Sequence, residues 1–108
     1  MSDQMIWLSY DLGVDGDYEN LYAWLDGKDA KECGDSMAVF RYENSKDIAD
    51  KLKNDIENHV DIRTKDRIYI IFRNQEDVMK GKFIWGSRKK APWSGYAVEK
   101  NGGIEDYI

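Results

Sequence analysis

The sequence contains only one cysteine, Cys33, and only one histidine, His59. A single cysteine excludes an internal disulfide framework, and one cysteine with one histidine cannot form a cysteine/histidine zinc site within one chain. No apolar run approaches the roughly 20 residues that span a bilayer. The segment MSDQMIWLSYDL also lacks the basic flank and the long apolar run of a signal peptide. We therefore expect a protein of the reducing cytoplasm, without a membrane partner.

Several enzyme motifs are also missing. The sequence has no glycine-rich loop that would cradle phosphate groups and no nucleophile elbow. The acidic segment 11–22 does not match a calcium loop, because Tyr22 stands where the EF-hand pattern requires a bidentate glutamate. We therefore do not expect a nucleotide-binding protein with a phosphate loop, a hydrolase with a nucleophile elbow or an EF-hand calcium-binding protein.

The length and charge of the chain indicate one small domain with an uneven surface. At 108 residues, the chain can bury one core, so we expect a single domain over residues 1–108. Its formal net charge of −5 opposes contact with phosphates. Residues 78–98, however, contain five basic residues and no acidic one. We therefore interpret residues 78–108 as a basic and aromatic C-terminal extension.

Hydrophobic spacing predicts the first strand and the first helix. The segment IWLSYDL alternates, with Ile6 and Leu8 on one face and Trp7 and Asp11 on the other. The segment DYENLYAWLDGKD has apolar residues at helical spacing and a terminal glycine. Asp15 or Asp17 can cap this helix, so helix capping explains both aspartates without a functional role.

The rest of the pattern completes the order βαββαβ. A Gly-Asp turn precedes the apolar segment 37–42, which predicts a hairpin of the second and third strands. Ser45 can cap a second helix. In this helix an apolar residue recurs every four positions, beginning with Ile48. Residues 66–73 predict the fourth strand. Two further strand pieces are predicted: the segment KFIWGS, and residues 95–108 with an Asn-Gly hairpin turn.

This order predicts an α+β, ferredoxin-like βαββαβ sandwich. In that fold, a four-stranded antiparallel sheet carries two helices on one face, here with extra C-terminal strands. The open face would display Trp7, Val39, Tyr69 and Ile71. Since monomers seldom expose large apolar patches, we expect either the C-terminal extension or a second copy of the chain to cover it.

Asp11 lies within the register of the first strand, on the predicted open face. Aspartate is disfavoured in strands, so its presence there needs an explanation. One explanation is a chemical role. The other is a pair with a backbone amide or with an arginine such as Arg41 or Arg73.

Two short motifs resemble those of a known family. The first strand ends in SYDL, with Tyr10 and Asp11, and a later strand reads SMAVF at residues 36–40. Together with the element order of residues 5–73, these motifs are similar to the Cas-two/VapD-like family of small CRISPR-associated ferredoxin-fold proteins and related toxins. The family usually carries basic residues along the first helix, whereas this chain has an acidic loop before it.

The resemblance implies a homodimer that acts on RNA or DNA. In it, two copies of Asp11 would share Mg²⁺ and catalyse phosphodiester cleavage, supported by Ser9 and Tyr10. Mg²⁺ keeps most of its waters and needs only one or two carboxylates, so one aspartate per chain can suffice in a symmetric dimer. The alternative, from a different class, is a non-catalytic dimeric module for protein interaction or regulation.

The C-terminal extension supplies a second set of candidate residues. Cations combined with flat rings can bind single-stranded nucleic acid. The candidates are Lys80, Lys82, Trp85, Arg88, Lys89, Lys90 and Trp93. Two other interpretations remain: the rings are buried and the cations are solvated, or the basic segment neutralises the acidic body of a second subunit.

Overall fold

A computed structural model describes residues 2–97 of the chain. Its elements are β1 (Asp3–Asp11), α1 (Tyr18–Gly27), β2 (Lys31–Glu32), β3 (Met37–Glu43), α2 (Ile48–Glu57), β4 (Arg67–Arg73) and β5 (Met79–Trp85). The first six elements confirm the predicted order, and β5 contains most of the segment KFIWGS. Most of the predicted Asn-Gly hairpin, from residue 98 onward, lies outside the described residues.

The strands form one five-stranded antiparallel sheet in the order β2-β3-β1-β4-β5. This arrangement is consistent with a ferredoxin-like fold in general terms. The prediction of a four-stranded sheet was wrong, because β5 pairs with β4 and extends the sheet. The reversal between them is a tight turn, in which the amide of Asn74 donates to the carbonyl of Val78 at 2.9 Å and Asp77 has a φ of 65°.

One face of the sheet is packed against the two helices. The alternation predicted for β1 and β4 is confirmed, because Ile6, Leu8, Ile68 and Ile70 are fully buried. The buried residues of the helices that join them are Leu21, Trp24, Leu25, Ile48, Leu52 and Ile56. Burial of this apolar surface is the main stabilising term of the fold.

The helix caps differ in how well the sequence predicted them. Asp17 is the N-cap of α1, and its carboxylate accepts from the amide of Asn20 at 3.3 Å, as predicted. Ser45 does not cap α2, which begins at Ile48 after Asp47. The Ser45 hydroxyl instead accepts from the amide of Asp47 at 3.2 Å, because the chain makes an extra turn before the helix.

A polar network at Asp55 joins α1, α2 and β3. Its carboxylate accepts from the Tyr42 hydroxyl at 2.8 Å and from Trp24 Nε1 at 3.3 Å, and the Lys28 ammonium lies 3.4 Å away. Burial alone would raise the pKa of the Asp55 carboxyl. The hydrogen bonds and the Lys28 charge outweigh burial and lower that pKa, so Asp55 is ionised at neutral pH.

Among the described residues, no helix is both long and apolar enough to cross a membrane.

Candidate functional site

Asp11 lies on the open face, at the end of β1. In the register of the sheet it is directly opposite Arg67, the first residue of β4. Arg67 Nη2 donates to Asp11 Oδ2 at 3.1 Å, and the amide of Gly13 donates to Oδ1 at 3.3 Å. Lys89 Nζ lies 3.9 Å from Oδ2. Asp11 thus pairs with a backbone amide and an arginine, but the arginine is Arg67 and not Arg41 or Arg73.

These contacts define the charge state of Asp11. The hydrogen bond from Arg67, followed by that from the Gly13 amide, lowers the pKa of the carboxyl below its usual value. The side chain of Asp11 is 47% exposed. Asp11 is therefore an ionised carboxylate that solvent and ligands can reach.

Asp11 is the one carboxylate among the residues that line the cleft, and two cations lie beside it. The described residues contain no group of three or more side chains that could hold a metal ion. Arg67 and Lys89 also place positive charge beside the one carboxylate, which disfavours a divalent cation. A shared ion would need a second copy of Asp11, as the resemblance implies, so the Mg²⁺ site stays a prediction.

Two aromatic rings lie beside Asp11. Tyr69 of β4 and Phe83 of β5 are cross-strand partners, and their ring centroids are 4.8 Å apart with planes at 67°. The Tyr69 ring lies across the backbone of Gly81. A Cβ at Gly81 would collide with the Tyr69 hydroxyl and would be 2.7 Å from its Cζ atom, so only glycine allows this ring position.

The chain after β5 turns back over these rings. Gly86 has a φ of 82°, and a Cβ there would be 2.7 Å from Arg67 Cγ, so this turn requires glycine. Arg67 Nη1 donates to the carbonyl of Ser87 at 3.3 Å and holds the turn in place. The Arg88 guanidinium then lies 5.8 Å from the centroids of both the Tyr69 and the Phe83 ring.

These residues enclose a cleft of about 260 Å³ on the open face. Its lining consists of Ser9, Asp11, Arg67, Tyr69, Phe83 and Arg88. Lys89 adds a third cation at the edge, so three cations face one carboxylate. The cleft therefore combines net positive charge with flat, partly apolar surfaces, which suits an anionic ligand that carries a planar group.

The predicted nucleic-acid residues are not all in one place. Arg88 and Lys89 lie at the cleft. Lys80 and Lys82 face the helix side, because they are opposite Phe72 and Ile70 in the β4–β5 register, and Lys82 lies near the start of α2.

The remaining candidates, Trp85, Lys90 and Trp93, do not line the cleft. Trp85 is half-buried on the helix side, where Lys53 Nζ is 5.7 Å from its ring. Lys90 is exposed, and Trp93 is 73% exposed in a turn. The described part of the C-terminal extension thus contributes cations to both faces of the sheet: Arg88 lines the cleft that contains Asp11, and Lys89 lies near the Asp11 carboxylate.

The two residues that were expected to support Asp11 lie on opposite faces of the sheet. Ser9 lines the cleft, whereas Tyr10 points to the helix side and packs against Tyr18 and Tyr22 of α1. Burial, followed by the hydrogen bond with Tyr22, raises the pKa of Tyr10 to about 12. Tyr10 is therefore a neutral packing residue of the helix side and does not line the cleft.

Sequence reasoning missed Arg67. The signal was present, because Ile68 and Ile70 face the core and Arg67 must then face the open side. The register that places it opposite Asp11 depends on strand pairing, which a single sequence does not show.

Comparisons with protein families, curated proteins and solved structures found no significant match to this chain. The Cas-two/VapD-like resemblance therefore depends on the sequence motifs alone. The function has to be inferred from the geometry of the cleft.

Proposed function

We propose that this protein binds single-stranded RNA or DNA on the open face of its sheet, at the cleft between β1, β4 and β5. One observation carries the proposal: at one cleft, the Arg88 guanidinium lies over the rings of Tyr69 and Phe83, and the cations Arg67 and Lys89 lie beside Asp11. Cations bind the phosphates of a single strand, and flat groups stack on its bases.

Arg88 is central to base stacking. Its guanidinium lies 5.8 Å from the centroids of two rings, and the residue is exposed, so a ligand in solvent can reach this planar cation. A guanidinium plane stacks on a base as well as on an aromatic side chain. Bases in a duplex already stack on one another, so this surface favours an unpaired base.

The net charge of the protein limits the strength of binding. With −5 overall, the chain attracts nucleic acid only near its few local cations. Binding should therefore be modest and should weaken steeply as salt is added, because each phosphate contact releases a counter-ion.

A pair of matched double variants tests the proposal. Arg88→Ala/Lys89→Ala removes two positive charges from the open face, and Lys80→Ala/Lys82→Ala removes two from the helix side. We expect the first variant to lose roughly 10-fold or more in affinity for a labelled single-stranded oligonucleotide. The second should change affinity less than about 2-fold. Equal losses, or no binding by the wild type, would contradict the proposal.

Metal-dependent cleavage by a homodimer is a second candidate. It is favoured by the ionised, half-exposed carboxylate of Asp11 at the end of a central strand. Cleavage of labelled RNA and duplex DNA should then require Mg²⁺, stop with a chelator, and disappear in Asp11→Asn. Cleavage that survives this substitution would remove the candidate.

The non-catalytic dimeric interaction module is the remaining alternative. It makes different predictions in those two experiments and in a light-scattering measurement of the mass in solution. A dimer by light scattering, together with no oligonucleotide binding and no cleavage, would support it. A monomer that binds the oligonucleotide would exclude it.

A further inference from the structure

We infer that Arg67 and Lys89 form a phosphate-binding subsite, and that Asp11 occupies this subsite as an internal counter-ion when no ligand is bound. The inference depends on the proposed binding of single-stranded nucleic acid and adds where a backbone phosphate would bind. It also gives Asp11 a role that involves neither metal nor catalysis.

The geometry of the Asp11 carboxylate is the first argument. Its Oδ2 atom lies 3.1 Å from Arg67 Nη2 and 3.9 Å from Lys89 Nζ. A phosphate oxygen in the same position would face the same two cations. Because a carboxylate and a phosphate are both anionic oxygen acceptors, they compete for this position.

The second argument is that Arg67 is held in place independently of Asp11. Its Nη1 atom donates to the carbonyl of Ser87, and its Cγ atom packs close to Gly86. The side chain of Arg67 is only 27% exposed. Arg67 can therefore keep its position when the partner of Nη2 changes from Asp11 to a phosphate.

The third argument concerns how easily Asp11 can be displaced. Nearly half of its side chain is exposed, and Lys89 is more exposed still. The ion pair between Asp11 and Lys89 is exposed on both sides and adds little stability, because water screens it. A phosphate that brings further contacts in the cleft can therefore displace the carboxylate.

Asp11→Asn tests the inference. Asparagine keeps the size of the side chain and can still accept from the Gly13 amide, but it removes the competing charge. We expect this variant to bind a labelled single-stranded oligonucleotide about 3-fold to 10-fold more tightly than the wild type. The logarithmic salt dependence should become steeper, because no displaced Asp11 carboxylate then takes up a cation when the phosphate binds. Inorganic phosphate should also compete more strongly against the variant.

Asp77→Asn is the matched control. Asp77 pairs with Arg73 at 3.0 Å, at the opposite end of β4 from Arg67, and asparagine tolerates its positive φ. This variant makes the same change in net charge away from the cleft. Its affinity should match that of the wild type, and an equal gain would show a general charge effect and overturn the inference.

The remaining outcomes separate the two proposals. Failure of the wild type and both variants to bind would overturn the proposed function. Binding by the wild type with no gain in Asp11→Asn would overturn only the subsite. If Asp11→Asn unfolds, Lys89→Ala in the wild-type background provides the second test, because it should reduce the salt dependence. An unchanged salt dependence in Lys89→Ala would also overturn the subsite.

Discussion

Asp11 and Arg67 occupy directly opposite positions in the ladder between β1 and β4, and their side chains form an ion pair at 3.1 Å on the open face of the sheet. Because side chains alternate along a strand, a slip of one residue would turn one partner to the helix side. The cleft thus depends on the register that the buried residues Leu8 and Ile70 impose.

Gly81→Ala should disturb the aromatic part of the cleft. The new Cβ would collide with the Tyr69 ring, so the ring must leave its position across the strand. We expect a loss of about 1–3 kcal/mol in the free energy of unfolding, measured by urea denaturation. Oligonucleotide affinity should fall in the same variant, because Arg88 loses part of its support.

The control for this prediction is the same substitution in a Tyr69→Ala background. With the ring removed, alanine at position 81 has space and should stabilise the strand by about 0.5–1 kcal/mol relative to glycine. If Gly81→Ala lowers the free energy of unfolding by the same amount in both backgrounds, the contact between Tyr69 and Gly81 does not account for the loss.

Arg88→Lys should separate stacking from charge. Lysine keeps the positive charge but has no flat guanidinium to place over Tyr69 and Phe83. We expect affinity for single-stranded oligonucleotide to fall by roughly 5-fold to 10-fold, with an unchanged salt dependence. A variant that binds as well as the wild type would mean that Arg88 acts only through its charge.

Asp55→Asn should make stability less dependent on pH in the acid range. The folded-state pKa of Asp55 lies below its unfolded value of 3.8, so its stabilising contribution is present above that value. It disappears as the pH falls through the lower folded-state pKa. We expect the variant to lose about 1–3 kcal/mol at pH 7, and much less at a pH where the wild-type carboxyl is protonated.

Urea denaturation at both pH values measures this difference. Glu57→Gln is a suitable control, because Glu57 is an exposed carboxylate on the same helix. If Asp55→Asn lowers the free energy of unfolding by the same amount at both pH values, the ionised carboxylate does not have the role assigned to it in the network with Tyr42 and Trp24.

Much of the fold could be predicted from the sequence, since periodicity is a local signal. The alternation of Ile6 and Leu8, and the four-residue repeat that begins at Ile48, identified the strands and helices that build the core. The pairing of β5 with β4 was not predicted as part of the main sheet. Its turn uses Asp77 at positive φ, where glycine is the usual signal.

The candidate site could be predicted only in part. Asp11 and Arg88 were identified from their residue types and from the charge pattern. Arg67, the partner of Asp11, is 56 positions away in the sequence and meets it only through the register of the sheet. The sequence also could not show that Lys82 and Arg88, six positions apart, lie on opposite faces, because β5 ends and turns between them.

The most direct test of the account is the footprint of a single-stranded oligonucleotide on the backbone amides, followed by NMR chemical shifts in the full chain. The account predicts that the shifts concentrate at Ser9, Asp11, Arg67, Tyr69 and Arg88, and that α1 and α2 remain unaffected. Shifts centred on Lys80, Lys82 and the start of α2, or no shifts at low salt, would contradict it.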